Sequence, residues 1–526
     1  MAGGMLSGRT WAEVGKYACA AALGAYVLMS TGAARQMAAT FVVPLPTVTA
    51  APITAESYPW LHYKFTQRPL ELDQHGFVEE EYIVSGMANV YDWPANPTDP
   101  LIVKYRNAPY ATRILVRRPA DLSRFSGTVI VETMNPARRF DMAIMHGFLN
   151  EHTLDHGHAW IGVSMPNVLE SLTRYDASRY STLTFANPAP ADASCAAGGG
   201  RGAAAGPAPT PTRNPNEAGL RLDALAQIGR WLKSNVAGNP FGSTAQRVFL
   251  VGHTGGDVAT YVSSVAREGR LEDGAPIYDG FLAHSGSNAG NLMNCGSPLP
   301  AGDPRRIPGQ GAGVPMVVMK TQNDLPYEGK PDSDEPDDMF RVYDIPGSTH
   351  ADKWLFRYLP TPAEQRKAID ITTRSTVTDH WPFEANCEVP DIVFHDFPQN
   401  YIVSGAVANL ERYAKDGTPL PRAARVEMDG ELPKLDEHGN AVGGIRSVWL
   451  DVPTATYHAI LPGPGNCGVA GYREDFPWGK SAALYETHEN YMAKLNASID
   501  RMLSERWITE AGAKRIRAEL LQPKTD

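Results

Sequence analysis

Cysteine is scarce in this chain of 526 residues: five in all, which is no disulfide framework. Cys195, Cys295, Cys387 and Cys467 are far apart, and spacing alone decides neither their pairing nor the redox compartment. Long apolar runs are also missing. Beyond the N-terminus no stretch reaches about 18 uninterrupted apolar residues, so no later segment is expected to span a bilayer. Basic blocks are absent too, and the formal charge is −10, from 48 Lys and Arg against 58 Asp and Glu. Nucleic acid and anionic lipid surfaces are therefore not expected partners; a small molecule is. The zinc pattern H-E-x-x-H does not occur, and His284, His380, His395 and His458 have no ligand spacing, so no metal and no cofactor is expected.

What is present begins with an N-terminal run. Lys16 precedes YACAAALGAYVLMSTGAA, and small residues follow to Ala39. Residues 1–40 read as a signal peptide or anchor, although Glu13 and a single lysine beside the run make a poor charged flank. Cys19 lies too early in the run for a lipidated cysteine. Export to the periplasm or medium is the expectation, with a cytoplasmic or N-terminally anchored protein as alternatives.

The rest has the composition of a globular protein, with 43% hydrophobic and 20% charged residues. EEEYIVSG (79–86) and YATRILVRRP (110–119) alternate like strands with one wet face, whereas in FSGTVIVETMNP (125–136) Val129, Ile130 and Val131 run continuously, as in a central strand, and the chain turns at Asn135-Pro136. HAWIGVSMPN (158–167), YDGFLAHSG (278–286), GVPMVVMKTQND (313–324) and DMFRVYDIPGSTHAD (338–352) repeat the pattern of a short apolar run followed by a turn. Helical spacing appears in 217–235 and after residue 256. Alternating strands and helices predict an α/β fold with a mostly parallel sheet covered on both faces, over residues 50–375. The Gly-, Ala- and Pro-rich stretch 187–216 is predicted to be a surface insertion. Residues 376–515, with helices expected at 407–417 and 481–507, are predicted to be a C-terminal cap or extension packed on this core.

The segment VFLVGHTGGDVATYV (248–262) carries the chemistry. A strand, a Gly-rich turn and a helix are the parts of a nucleophile elbow, in which G-x-S-x-G lifts a hydroxyl off the sheet. Here the register is G-H-T-G-G and the tip is Thr254. A simple tight strand–helix turn explains the same glycines, but no nucleotide-binding pattern fits this turn. The Gly255 amide would face a developing oxyanion. Downstream, Asp324 and His350 each follow a strand, giving the order nucleophile, acid, histidine. Asp334, Glu335 and Asp337 lie between them as an acidic, solvated loop. The amide of Met134 or Asn135 is the expected second oxyanion donor. Glu132 is expected either to hold that loop or to support His350, and Ser348 is a local hydrogen-bond partner. Ser164, Ser285 and Ser287 follow strands without an elbow signature.

GFVEEEYIVSG, YATRILVRRPADLSRFSGTVIVETMNP, the elbow at 252–256, PGSTHAD and DGELPKLDEHGNAVGGIRSVWLDVPTATY occur in that order. Together they resemble the large bacterial α/β-hydrolase-domain proteins, over roughly residues 50–515. The resemblance implies a single α/β-hydrolase fold with a C-terminal elaboration and an esterase-like site. That site would hold the elbow residue, an acid after the seventh core strand, and His350. Two positions depart from the family: Thr254 stands where serine is usual, and Gln322 where an acid is common. Threonine's methyl crowds a strained turn and its β-branching restricts χ1. Three readings follow. One is hydrolysis of a carboxylic ester or lactone of a small, partly apolar molecule by Thr254, His350 and Asp324. Another is a lyase or isomerase step with His350 as general base and Thr254 only a hydrogen-bond donor. The last is a catalytically silent binder of a small ligand.

Overall fold

In the computed structural model the described residues are 40–192, 213–286, 288–307, 312–327, 329–333, 335, 338–369, 393–463 and 465–521. The N-terminal run, the middle of the 187–216 insertion, Ser287, Asp334, Asp337, His380, Cys195 and Cys387 lie outside them; Glu335 is exposed.

The strands are β1 (Thr47–Ala50), β2 (Phe77–Asp92), β3 (Ile102–Pro119), β4 (Thr128–Thr133), β5 (Ala159–Val163), β6 (Arg247–His253), β7 (Gly280–His284), β8 (Met316–Thr321) and β9 (Phe340–Ile345). They form one sheet in the order β9-β8-β7-β6-β4-β5-β3-β2-β1, with the two-residue strand Thr184–Phe185 also paired to β3. From β9 to β5 every pairing is parallel; β3, β2 and β1 join antiparallel. The parallel strands have no polar face for water, and β4, β5, β7, β8 and β9 are buried at every position.

Helices α1 (Ile144–His156), α2 (Arg221–Leu232), α3 (Gly256–Ser263) and α4 (Asn400–Asp416) cover the sheet. Side chains alternate along a strand, so consecutive residues of β6 report the two layers. His253 faces Phe148 of α1, whereas a side chain at Gly252 would meet Val258 of α3. Helices α1 and α4 thus share one face and α3 lies on the other.

Strand β3 corrects an expectation. Residues 110–117 are buried on both faces, and the alternating polar positions are ion pairs. Arg113 bonds Glu81 at 2.8 Å and Arg117 bonds Glu79 at 2.9 Å, while the carbonyls of Trp60 and Leu61 accept from the same guanidiniums. The lead-in segment lies over this face, so polarity here marks buried pairing. The run 481–507 is also two helices, α5 (Trp478–Tyr485) and α6 (His488–Ser504), followed by α7 (Glu510–Leu521). Glu486 takes φ 60° between them, and the Thr487 hydroxyl caps α6 by accepting the Asn490 N–H.

The C-terminal segment shares the apolar core of the sheet: Phe397, Tyr401, Val407, Ile445 and Ile499 belong to the same cluster as Val251 and Met319. It also covers the free edge of β9, where Asp344 accepts from Arg425 and from the Val426 amide, and the Asp344 carbonyl accepts from the Ile445 amide.

Candidate active site

Chain order reverses around β4, because β5 lies on one side of it and β6 on the other. Open α/β sheets place their crevice at the carboxyl ends of strands at such a point. Here β4 leads to Asn135 and β6 leads to Thr254.

Thr254 has φ 61°, a rare backbone state for a β-branched residue, costing about 1–3 kcal/mol. Two glycines make the turn possible. A Cβ at Gly252 would lie 2.5 Å from the Thr133 hydroxyl, and one at Gly255 would lie 1.9 Å from the Gly286 carbonyl. The turn leaves Thr254 exposed while both its neighbours are buried. The Gly255 N–H donates no hydrogen bond among the described residues, and α3 begins one residue later.

The Asn135 side-chain amide donates to Thr254 Oγ1 at 2.9 Å. The opposite end of that amide accepts the Ala137 N–H at 2.8 Å, so the network sets which end faces the threonine. The backbone amides proposed as oxyanion donors are engaged elsewhere. Met134 N–H bonds the Val163 carbonyl, and Asn135 N–H bonds the Met142 carbonyl. The donor aimed at the elbow is therefore the Asn135 side chain.

His350 Nδ1 lies 3.1 Å from Asp324 Oδ1. Burial works to raise the Asp324 pKa, but the His350 hydrogen bond and charge, Lys320 and Thr321 together hold it down to about 2. The two loops are joined at further points. Asn323 Oδ1 accepts the His350 amide at 2.8 Å, and Gln322 Oε1 accepts the Gly347 amide at 2.7 Å. Gln322 thus has a neutral bracing role while Asp324 provides the carboxylate. His350 Nε2 has no hydrogen-bond partner among the described residues, and the Thr254 hydroxyl bonds Asn135, not His350.

The secondary assignments change. Glu132 is fully buried and accepts the amides of Met145 and His146 and the Trp160 indole N–H, so it caps α1 and does not touch His350. Burial pushes its pKa up to about 7 against those hydrogen bonds. The Ser348 hydroxyl bonds the Ile345 carbonyl at 2.6 Å and likewise does not reach His350. Ser164 is held by Arg113 and Asp141. Ser285 does share the strained backbone, at φ 55°, but it is 3% exposed, so its hydroxyl does not face the crevice.

Other residues join the site that sequence reasoning missed. His253 and His284 end adjacent strands in register, with their Nδ1 atoms 3.0 Å apart. The His253 ring meets the His350 ring edge-on, centroids 4.8 Å apart. His284 Nε2 bonds Gln399, whose amide nitrogen donates to Asp352 at 2.6 Å. Burial lowers the His253 pKa far below its ordinary value and brings that of His284 to about 4, so both rings are neutral at pH 7. The repeated H-T-G and H-S-G strand ends were the available signal. Cys295 and Cys467 are each disulfide-bonded, and the Gly468 and Val469 carbonyls accept from the Asn323 and Thr349 side chains. A cavity of about 1410 Å³ lies elsewhere, against Trp354, Trp449, Tyr457 and Trp478, and none of Thr254, Asp324 and His350 lines it. The strained elbow and the His–Asp pair mark the β4–β6 crevice as the candidate site instead.

No curated protein matches the sequence. Among solved structures, a glucuronoyl esterase from Solibacter usitatus is 10% identical over 55% of this chain and 70% of that one, with a TM-score of 0.27. A CE15 glucuronoyl esterase from Teredinibacter turnerae T7901 is 9% identical over 53% of this chain and 62% of that one, TM-score 0.27. An alpha-beta serine hydrolase homologue from Coxiella burnetii is 12% identical over 46% and 84%, TM-score 0.22. The assignment rests on the family: the alpha/beta hydrolase domain model matches residues 43–518, and the chain belongs to that family.

Proposed function

We propose that this α/β hydrolase cleaves a carboxylic ester or lactone of a small, partly apolar molecule through Thr254, His350 and Asp324. The observation that carries the reading is the His350–Asp324 pair at 3.1 Å, on loops beside an elbow whose hydroxyl receives the Asn135 amide. Because Thr254 Oγ1 only accepts from Asn135, its proton remains available to a base. In the first step His350 Nε2 takes that proton while Oγ1 bonds the carbonyl carbon. The displaced electron pair moves to the carbonyl oxygen, which the Gly255 N–H and Asn135 side chain receive. Collapse expels the alkoxide, which takes the proton back from His350; water then repeats both steps and releases the acid.

The test is a fluorophosphonate labelling of the full chain read by peptide mass spectrometry, with turnover of p-nitrophenyl esters. A Thr254 adduct, with turnover lost in T254A and H350A, supports the reading. Full turnover in T254A rejects the nucleophile. The Thr254–Asn135 hydrogen bond also favours a second reading, a lyase or isomerase in which His350 is the base and Thr254 orients substrate. That reading predicts a far larger loss in H350A than in T254A. That Cys295 and Cys467 are both disulfide-bonded supports export to the periplasm or medium, where disulfides persist.

A further inference from the structure

At the opposite end of the sheet from the elbow, three histidines converge. His152 and His156 are one turn apart on α1, and His158 follows just before β5. One ring nitrogen from each lies within 4.8 Å of the others. Glu411 of α4 lies beside two of them: its oxygens are 3.6 Å from His152 Nε2 and 3.3 Å from His158 Nε2.

The Glu411 ion pairs account for only part of this cluster. His152 and His158 are each 3% exposed, yet both nitrogens of His152 and Nε2 of His158 have no hydrogen-bond partner. Buried polar atoms left this way call for an explanation. The remaining atoms are held as metal ligands usually are. His158 Nδ1 lies 2.7 Å from the Ser126 hydroxyl, His156 Nδ1 lies 3.0 Å from the His152 carbonyl, and Glu411 accepts from the Thr128 hydroxyl at 2.8 Å. The histidine contacts engage Nδ1 of His158 and of His156, and the Glu411 oxygen that accepts from Thr128 is the one that faces His158 Nε2.

We propose that His152, His156, His158 and Glu411 form a structural site for a divalent transition metal of the zinc type. Zinc bonds of about 2.0–2.1 Å set tetrahedral donors about 3.3 Å apart, close to the carboxylate–imidazole spacings, and the imidazole nitrogens, within 4.8 Å of one another, would draw together on binding. Three imidazoles and one carboxylate suit zinc and not the all-oxygen preference of calcium or magnesium. Four protein donors close the coordination sphere, so the site staples α4 to α1 and the start of β5. It is separate from the elbow. Thr128, which braces Glu411, opens the six-residue β4, and Asn135 lies past its other end, about 20 Å away at strand rise. The staple reaches the elbow through α4, at whose start Gln399 holds His284, and through α1, whose Phe148 packs on His253.

The experiment uses the full chain without a histidine tag, stripped with a chelator and titrated with zinc chloride. Metal content and thermal unfolding are both measured. The site predicts about one tight zinc per chain and a raised unfolding temperature with zinc. His156 is exposed, so His156→Ala folds and loses that zinc; Glu411→Gln does the same, and Ser126→Ala binds about 10–100-fold more weakly. No tight uptake by the wild type, or uptake unchanged in the H156A and E411Q variants, overturns the proposal.

Discussion

The Asn135 side chain donates its amide to the Thr254 hydroxyl at 2.9 Å, while its oxygen is pinned by the Ala137 N–H. A donor fixed in this way loses little entropy when charge develops beside it. Removing one such oxyanion donor typically costs about 10²–10³ in kcat. Asn135→Ala is expected to lose that much on any ester the wild type turns over, with KM little changed. A variant whose kcat stays within a few-fold of wild type rules out Asn135 as the second donor.

Thr254 combines φ 61° with a branched Cβ. The methyl restricts χ1 at the tip of the turn, so the hydroxyl has less freedom to meet His350 Nε2. Thr254→Ser removes the methyl and keeps the oxygen. A displacement of about 1 Å is worth about a hundredfold in rate, which bounds the expected gain in kcat. Steady-state kinetics of T254S beside T254A measure it. Equal rates for serine and threonine show that the methyl does not misplace the nucleophile.

Asp324 keeps its charge although its side chain is only 5% exposed, because His350, Lys320 and Thr321 outweigh burial. Asp324→Asn retains the shape but offers His350 no anion, and a loss of about 10⁴ in kcat is expected. The same shift has a stability consequence. The folded pKa of about 2 lies below the ordinary value near 3.9, so the stabilisation is complete above pH 4 and is lost as pH falls toward 2. Denaturant titrations of wild type and D324N should therefore converge at low pH. Curves that stay parallel across that window contradict the assignment.

Residues whose role depends on their own strand were legible in the sequence; residues whose role depends on a neighbour were not. Thr254, Asp324 and His350 each follow a short apolar run, and parallel strands bring their ends to one edge. Alternation in β3 shows two faces but not which one meets water, so it does not reveal that Arg113 and Arg117 are buried against Glu81 and Glu79. Glu132 lies in the right strand but points at the start of α1, and the Met134 and Asn135 amides are engaged by backbone carbonyls. The His253–His284 contact requires the register between β6 and β7, and Gln399 enters from a helix far along the chain. The His152–His156–His158 group needs Glu411 from α4, which no local motif encodes.

The buried pair His253 and His284 makes acid the expected weak point of the fold. The groups facing His284 are His253, His350, Asp324 and Lys320, and burial is the largest influence, bringing its pKa to about 4. In the unfolded chain a histidine takes up its proton near pH 6.5. Above that pH both states are neutral and His284 adds no pH dependence. Between about 6.5 and 4 only the unfolded state is protonated, so stability falls with pH by about 1.4 kcal/mol per unit; below 4 the slope from this group ends. His284→Asn removes that proton. Urea denaturation at pH 7 and pH 4.5 should show the variant losing about 2–3 kcal/mol less than wild type over the interval. An identical loss in both proteins means that His284 is already charged in the folded state.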